Sequence, residues 1–339
     1  MSLPHDLGIV VIGRNEGDRL KACLHSIPIL DRTVYVDSGS TDGSVAFARS
    51  LGVAVVELDP ARPFSAARAR NEGLDALLDR DPALRFVEMV DGDCAVAPGW
   101  LAAGYAALAA DDRLAAVFGR RRERFPDRSL YNRLCDIEWD VPPGEARFIG
   151  GDAMLRVDAM RAAGGYAASL IAGEDPDLGF RLRQAGWRLA CLPVEMTQHD
   201  AAILRFGQWW RRMARGGFAY AALVDRHGAS ADPEWRRATR RIGFWAGVLP
   251  ALFITALVVA FWFPPALLAA MMFAALYPVQ IARMTRREVN AGMSRSLALR
   301  RSALLTCAKF AEMAGIIRFH LMRATGAKAR LIEYKTSGD

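Results

Sequence analysis

The chain has 339 residues, of which 52% are hydrophobic and 24% charged, a composition that excludes disordered, collagen-like and low-complexity proteins. A net charge of +7 is compatible with nucleic acid, anionic lipid or an anionic substrate as a partner. The five cysteines are scattered and include no Cys-x-x-Cys pair. They indicate neither a disulfide framework nor a zinc site, and they favour a reducing compartment.

Strand-like and helix-like segments alternate over the first hundred residues. Apolar strand segments are predicted at 8–12, 33–36, 53–58 and 85–90, and helical segments at 17–27, 44–51 and 66–78. Strands that alternate with helices of roughly 10–15 residues indicate βαβ units and a parallel sheet. The sequence therefore predicts an α/β fold.

Polar side chains follow three of these predicted strands. They are Asn15, Glu16, Asp37, Asp42, Asp91 and Asp93. Ligands of open α/β sheets bind outside the carboxyl ends of the strands. Helix capping is the alternative for a single residue such as Asp42. The three groups together favour a nucleotide site lined with carboxylates.

The Asp91-Gly92-Asp93 tripeptide indicates a cation site. Two carboxylates separated by one small residue can converge on Mg²⁺ or Mn²⁺, although the same tripeptide also makes a good tight turn. Such a cation would neutralise a diphosphate leaving group. A second acidic pair, Glu174 and Asp175, opens a helix predicted to end at Ala185. One of these could act as a general base, with a preference for acidic residues at helix starts as the alternative.

Further elements are predicted between these motifs. A helix is expected at 101–110, a strand at 148–155 and a short strand at 188–192, and a basic run occupies 120–124. That run and the one at 236–241 lack a recognisable reading helix. Nucleic acid is therefore not an expected partner.

The composition changes after residue 241. Residues 242–263 carry no charge, and a second uncharged stretch, 266–282, follows the Pro264-Pro265 pair. At the helical rise these stretches are about 33 Å and about 26 Å long, so the first can cross a bilayer and the second is marginal. Basic residues flank both outer ends, which places both ends in the cytoplasm. A membrane hairpin is predicted, with a re-entrant hairpin or a buried core hairpin as alternatives.

The segment 294–323 combines apolar and basic residues. It is predicted to be an amphipathic helix on an anionic membrane surface, with packing on the catalytic domain as the alternative. The expected organisation is a catalytic domain at 1–230, a membrane hairpin with basic flanks at 231–290 and an amphipathic segment at 291–339.

Five motifs occur in the order and at the spacings of family 2 glycosyltransferases. They are 12–16, 36–43, 69–73, 91–93 and 174–175. The resemblance covers residues 8–215 and extends to membrane-associated bacterial members of that family. It implies a GT-A fold with a Rossmann-like mixed sheet. It also implies an inverting transfer from a nucleotide-sugar that depends on Mg²⁺ or Mn²⁺.

The resemblance also implies roles for individual residues. Those assigned to the donor nucleotide and its sugar are Asn15, Glu16, Asp37, Arg70, Asn71, Asp91, Gly150 and Gly151. Asp37 is expected at the nucleobase and Gly150-Gly151 beside the sugars. The residues assigned to the cation are Asp91, Asp93 and His199. Asp175 matches the catalytic base, with Glu174 beside it.

The stretch Gln208-Trp209-Trp210-Arg211 resembles part of the Gln-x-x-Arg-Trp motif of processive polysaccharide synthases, but Arg212 stands where Trp is expected. The two tryptophans are expected either to contact the acceptor or to lie at lipid headgroup level. This departure disfavours processive synthesis and favours the addition of one sugar per encounter.

The sequence thus predicts a transferase that moves a sugar, with a UDP-sugar favoured as donor, to a lipid-linked acceptor. The expected acceptor is a polyprenyl-diphosphate glycan at the cytoplasmic face of the bacterial inner membrane, in surface polysaccharide, exopolysaccharide or glycolipid assembly. A processive synthase and a non-catalytic nucleotide-binding membrane scaffold are the alternatives. The sugar, the nucleotide, the linkage and the oligomeric state stay open.

Overall fold

A computed structural model describes residues 3–326 of the chain. It divides into two compact units, and the boundary lies between Phe206 and Gly207. The sequence predicts a catalytic domain that ends at residue 230. In the division of the structure, the long helix that begins at Phe206 groups with the C-terminal helices.

The first unit contains a mixed sheet. Its strands are β1 (Leu7–Gly13), β2 (Thr33–Asp37), β3 (Ala54–Glu57), β4 (Phe86–Asp91), β5 (Cys94–Val96), β6 (Leu114–Glu123), β7 (Gly144–Glu145), β8 (Ala153–Arg156) and β9 (Arg188–His199). Within the described residues these nine strands run in the order β3-β2-β1-β4-β8-β6-β9-β5, with β7 paired to β9. The first four strands by position are parallel, as the βαβ pattern predicts, and β8 is antiparallel to both of its neighbours. The predicted α/β class is confirmed.

Seven helices of the described chain belong to this unit. They are α1 (Asp18–His25), α2 (Ser44–Ser50), α3 (Ala66–Arg80), α4 (Trp100–Ala110), α5 (Leu130–Glu138), α6 (Val157–Ala162) and α7 (Glu174–Gln184). Helix α3 begins where the Ser65 side chain accepts a hydrogen bond from the Arg68 N–H (3.2 Å). Its Gly73 lies so close to the sheet that an added Cβ would sit 2.5 Å from a Val10 methyl carbon. This close packing holds the first turns of α3 beside the carboxyl ends of the parallel strands.

Two predicted strands have different bounds in the structure. The segment predicted as a strand at 148–155 is a loop up to residue 152 and a strand only over β8. The short strand predicted at 188–192 continues to His199 as β9, because its second half pairs with β5 and with the end of β6. These pairings are tertiary contacts that local sequence patterning does not encode.

The basic run at 120–124 lies mainly in β6, where the sequence analysis predicted no strand. Irregularities in the pairing with β9 fall on both sides of Arg120. At these two points the extra residues belong to β9. Arg120 and Arg121 are both largely buried, whereas Arg122 is exposed.

The second unit is helical. Its helices are α8 (Phe206–His227), α9 (Pro233–Gly243), α10 (Leu249–Ala260), α11 (Ala266–Asn290) and α12 (Arg295–Thr325). The Asp232 side chain caps α9 by accepting the Glu234 N–H, and Pro233 occupies the first turn. A π-helical turn at Phe244–Val248 joins α9 to α10 without a break. In the described chain, Pro233–Ala260 and Ala266–Asn290 are long and apolar enough to cross a membrane, by length and composition alone.

Helix α12 covers most of the segment predicted as an amphipathic surface helix, and residues 327–339 lie outside the described residues. Its buried residues are small and face other helices of the same unit. At the crossing with α8, a Cβ added to Gly217 would lie 1.9 Å from the Glu312 carbonyl oxygen, and one added to Gly315 would lie equally close to the Ala214 oxygen. The two backbones therefore touch, as in small-residue helix crossings of membrane proteins.

This crossing predicts opposite effects for two adjacent glycines of α8. Gly217→Ala should lower the free energy of unfolding by about 1–3 kcal/mol, because the added methyl group collides with the backbone of α12. Gly216 has open space where a Cβ would be added, so Gly216→Ala should be neutral or stabilise by up to about 1 kcal/mol through helix propensity. Thermal unfolding followed by circular dichroism compares the two. Equal melting temperatures would contradict this crossing.

Candidate active site

A cluster of acidic side chains forms where β4 ends. Asp91 is the last residue of β4, Asp93 follows it, and the short strand β5 then pairs antiparallel with the end of β9. This pairing brings His199 to Asp93, with 3.2 Å between His199 Nε2 and Asp93 Oδ2. The structure thus places the three residues assigned to the cation in one region.

The imidazole of His199 is neutral at physiological pH. Burial, together with the nearby guanidinium of Arg121, lowers the pKa of His199 to about 4. A neutral imidazole has a lone pair for a metal ion, whereas imidazolium has none. Carboxylate oxygens are the ligands that suit Mg²⁺ and Mn²⁺, and a neutral imidazole nitrogen can add one further donor.

Arg70 links this cluster to the start of α7. Its guanidinium lies 2.8 Å from Asp91 Oδ1, 3.1 Å from Glu174 Oε1 and 3.0 Å from Asp175 Oδ1. The side chain is only 3% exposed, so these ion pairs are strongly shielded from water. Arg70 therefore holds the carboxylates of two distant chain segments together, a contact that the sequence motif did not predict.

Asp175 has the ionisation of a base that works near neutral pH. Burial raises its pKa to about 7; the Arg70 guanidinium lowers it, and the Glu174 and Asp91 carboxylates raise it. A carboxylate with a pKa near the working pH is suited to accept a proton from a hydroxyl group. Glu174 is more deeply buried against Arg70, which indicates a positioning role for it.

The predicted glycine loop and the Ala-Arg-Asn segment contact the same cluster. A Cβ added to Gly151 would lie 2.7 Å from Asp91 Oδ2 and 2.8 Å from Arg70 Nη2, so a side chain there would disrupt that ion pair. Gly150 has open space beside it. The Asn71 amide donates to the Tyr166 carbonyl oxygen (2.8 Å) and accepts the Tyr166 N–H (2.9 Å). Asn71 thus fastens the loop between α6 and α7.

The residues assigned to the nucleoside lie at the end of β2 and in the loop that follows the adjacent strand β1. Asp37 is buried and accepts hydrogen bonds from the Tyr35 hydroxyl (2.8 Å) and the Ser40 N–H (2.7 Å). Asn15 has a left-handed backbone conformation, and its side-chain oxygen accepts the Thr41 N–H (2.8 Å). These contacts connect the two loops that follow the strands.

Glu16, in the loop after β1, forms an ion pair with Arg19, with 2.9 Å between Glu16 Oε2 and Arg19 Nε. Asp42, in the loop after β2, accepts the Gly17 N–H at 2.8 Å. Partial burial raises the pKa of Asp42, but the hydrogen bonds that its carboxylate accepts from Ser44 and Gly17 outweigh this effect, so the pKa lies below its ordinary value. Asp42 therefore joins the two loops, a bridging role beyond the capping considered from sequence.

Sequence reasoning missed a buried ion pair beneath Asp91. Asp152 is fully buried, lies 2.8 Å from Arg121 Nη2, and accepts the Asp91 N–H (2.9 Å) and the Thr197 hydroxyl (2.7 Å). Arg121 also lies 3.5 Å from Asp91 Oδ2, and its guanidinium stacks on Trp139. The basic run at 120–124 was the sequence feature that could have indicated this pair. Successive side chains of a strand point to opposite faces of the sheet, so some arginines of a basic strand must face a covered side.

The residues predicted to face the acceptor lie in the second unit, in the first turns of α8. Trp209 is buried, Gln208 and Trp210 are half-buried, and Arg211 is exposed. Burial of Trp209 is the mark of a packing residue.

Comparison with known proteins gives the family. Residues 8–162 match the model of "Glycosyl transferase family 2", and residues 129–282 match that of "Glycosyl transferase family group 2". A pre-mycofactocin glycosyltransferase of Mycobacterium tuberculosis is 28% identical over 240 residues, 66% of this chain and 48% of that protein. The succinoglycan biosynthesis protein ExoA of Rhizobium meliloti is 28% identical over 205 residues, 53% of this chain and 59% of that protein. The chain spans about half the length of the curated relatives it matches.

The fold has a solved counterpart. The mannosyltransferase PcManGT of Pyrobaculum calidifontis, solved with GDP-Man and Mn²⁺, is 19% identical and superposes with a TM-score of 0.56. The match covers 92% of this chain and 87% of that chain, and it shows the GT-A fold. The two family models and the curated relatives together identify the matched part of the chain as a family 2 glycosyltransferase.

Proposed function

We propose that this chain is a metal-dependent, inverting glycosyltransferase that moves a sugar from a nucleotide-sugar to a hydroxyl group of a lipid-linked acceptor. The observation that carries the proposal is the buried link between two carboxylate groups. Arg70 joins Asp91, beside Asp93 and His199, to Asp175 at the start of α7. The residues proposed to bind the cation and the carboxylate proposed as the base are therefore linked through one buried side chain, which supports the proposal.

The nucleoside of the donor is proposed to bind at the loops after β1 and β2. Asp37, Asn15 and Glu16 lie there, and the buried Asp37 is already held in place by backbone N–H groups. A UDP-sugar is the favoured donor. A GDP-sugar is the second candidate, since PcManGT was solved with GDP-Man. Gly150, which has open space beside its Cα, is proposed to border the sugar.

Asp91, Asp93 and His199 are the residues that would hold the cation. When bound, the cation would neutralise the charge that develops on the departing nucleoside diphosphate. The carboxylate of Asp152 accepts the Asp91 N–H and is itself paired with Arg121. These contacts fix the backbone of Asp91. The arrangement keeps the ligand positions fixed before a donor arrives, which is the usual requirement for such sites.

Asp175 is proposed to accept the proton of the acceptor hydroxyl while that oxygen forms its bond to the anomeric carbon. The bond from the anomeric carbon to the nucleotide diphosphate breaks on the opposite face, so one displacement inverts the configuration. Arg70 and Glu174 position the carboxylate of Asp175 for this step.

The acceptor is proposed to be lipid-linked because of the helical unit. Its two long apolar helices carry many large, exposed apolar side chains, including Phe261 and Trp262 beside the Pro264-Pro265 turn. Exposed apolar surface of this extent favours insertion in lipid. Arginines flank both outer ends of the pair, which favours a cytoplasmic location for both ends. A polyprenyl-diphosphate glycan at the inner membrane is the acceptor we propose.

Removal of the base should stop transfer without loss of donor binding. Asp175→Asn should lower kcat by about 10²- to 10⁴-fold, the usual contribution of general base catalysis. Nucleotide binding in the presence of Mn²⁺ should be retained. The matched control is Asp158→Asn, an exposed aspartate in the first turn of α6, which should leave kcat unchanged. Near-normal turnover of a folded Asp175→Asn protein would exclude the assignment.

The pH profile should report the same group. A base must be unprotonated, and burial raises the pKa of Asp175 to about 7. The rate of transfer should therefore rise with pH, reach half of its maximum near pH 7 and level off above it. Initial rates measured at saturating donor across the range test this. A rate that is already constant well below pH 7 would contradict it.

The donor and the metal can be identified together. Nucleotide release should be measured for a panel of UDP- and GDP-sugars with Mg²⁺, Mn²⁺ or EDTA, each with a polyprenyl-diphosphate acceptor and with a water-soluble sugar. We expect release from one donor class, dependent on the cation and stimulated by the lipid acceptor. In Asp93→Ala, release should fall to the level measured with EDTA.

Two results of this assay, and one binding measurement, would overturn separate parts of the proposal. Equal stimulation by the soluble sugar would exclude the lipid-linked acceptor. Full activity in EDTA would exclude the metal. Failure of the wild-type protein to bind any nucleoside diphosphate in the presence of metal would favour a nucleotide-fold scaffold without transfer activity.

A further inference from the structure

A cysteine stands inside the proposed cation site. Cys94 directly follows Asp93, and it is the residue directly opposite His199 in the antiparallel pair of β5 and β9. Directly opposite residues of an antiparallel pair project from the same face of the sheet. The thiol of Cys94 and the imidazole of His199 therefore face the same side.

The distances make these groups a potential ligand set. One carboxylate oxygen of Asp93, the sulfur of Cys94 and a ring nitrogen of His199 all lie within 4.8 Å of one another. The Cys94 sulfur is 3.5 Å from Asp93 Oδ1. Cys94 is fully buried and His199 nearly so, while Asp93 keeps 9% of its side chain exposed. A cation from solvent would meet Asp93 first.

Sulfur, nitrogen and oxygen donors suit a different class of cation from the carboxylates alone. Zn²⁺ takes thiolate, imidazole and carboxylate ligands, and its catalytic sites use three protein ligands with a fourth position open. Mg²⁺ and Mn²⁺ prefer oxygen ligands. At sites with nitrogen, sulfur and oxygen donors, Mn²⁺ is the weakest binder of the first-row series, and the affinity rises through Co²⁺ to Cu²⁺ before it falls again at Zn²⁺.

We propose that Asp93, Cys94 and His199 form a binding site for thiophilic divalent cations of the zinc class. This inference rests on the proposed function, because the site shares Asp93 and His199 with the activating cation. Binding replaces the proton of the Cys94 thiol, which passes to solvent, by a sulfur–metal bond. Zn²⁺ and Mn²⁺ cannot both occupy the shared ligands. Zinc is therefore an inhibitor that competes with the activating metal.

The spacing of the cysteines did not point to this site, because its third ligand, His199, lies 106 residues after Asp93. The nearby charged groups are Arg121, Asp91 and Asp152. The sulfur of Cys94 also lies within 4.8 Å of a carboxylate oxygen of Asp91 and of Asp152. Asp152 is the weaker candidate as a ligand, since it already binds Arg121, Thr197 and the Asp91 N–H.

Cobalt gives a direct readout of the sulfur ligand. Titration of the purified full-length protein with Co²⁺ should produce a sulfur-to-cobalt charge-transfer absorption band. The band should be absent in Cys94→Ser and in Cys94→Ala. It should persist in Cys191→Ser, a buried cysteine on β9 about 25 Å from His199 at the usual strand rise. Circular dichroism verifies that each variant is folded. An unchanged band in either Cys94 variant would overturn the proposal.

A second measurement needs no variant. X-ray absorption at the zinc edge of the wild-type protein with one equivalent of Zn²⁺ should show one sulfur at about 2.3 Å. A shell of nitrogen and oxygen alone would overturn the proposal. In Cys94→Ser, the Zn²⁺ concentration that halves Mn²⁺-supported nucleotide release should rise at least about tenfold, within the range that loss of a metal-site contact causes. An unchanged value would contradict competition through Cys94.

These readouts separate this inference from the proposed function. A cobalt–sulfur band in a protein that binds no nucleoside diphosphate with Mn²⁺ would leave the zinc site standing and exclude the transferase function. Mn²⁺-dependent nucleotide release without a cobalt–sulfur band would exclude the zinc site and leave the transferase function standing.

Discussion

The active site depends on one buried guanidinium. Arg70 lies on a helix that glycine packing holds against the sheet, and it contacts carboxylates from β4 and from α7. Without it, these carboxylates would repel one another in a shielded environment. The cluster still contains more carboxylates than guanidinium groups. Its carboxylates are Asp91, Asp93, Asp152, Glu174 and Asp175, and its guanidinium groups are those of Arg70 and Arg121. This excess of negative charge is a physical reason for a divalent cation to bind there.

The sheet topology supplies the other half of the site. Because β5 returns antiparallel to β9, a residue distant in sequence, His199, comes to lie beside Asp93. The neighbouring strand β6 adds Arg121 through an irregular register with β9. The proposed cation site is therefore built by strand pairing, while the proposed base lies in the first turn of a helix. Arg70 is the contact that fixes the distance between these two elements.

Much of this could be predicted from sequence, and the remainder has identifiable causes. The α/β class, the GT-A resemblance and the acidic strand ends follow from local patterns and motif order. The pair of Arg121 and Asp152 does not, because the irregular register between β6 and β9 and the packing of β8 are tertiary contacts. The boundary after Phe206 depends on glycines of α8 and α12 that touch only in the folded chain. The scaffold role of Asn71 likewise depends on a loop far away in sequence.

Burial divides the chemistry between two residues. It disfavours the charged form of every group, so the same physical cause lowers the pKa of His199 to about 4 and raises that of Asp175 to about 7. At neutral pH the imidazole is uncharged and offers a lone pair, while the carboxylate can take up and release a proton. A more exposed site would leave His199 partly protonated and Asp175 a weak base. Burial therefore gives His199 the ionisation state that the proposed metal ligand needs, and gives Asp175 the pKa that the proposed general base needs.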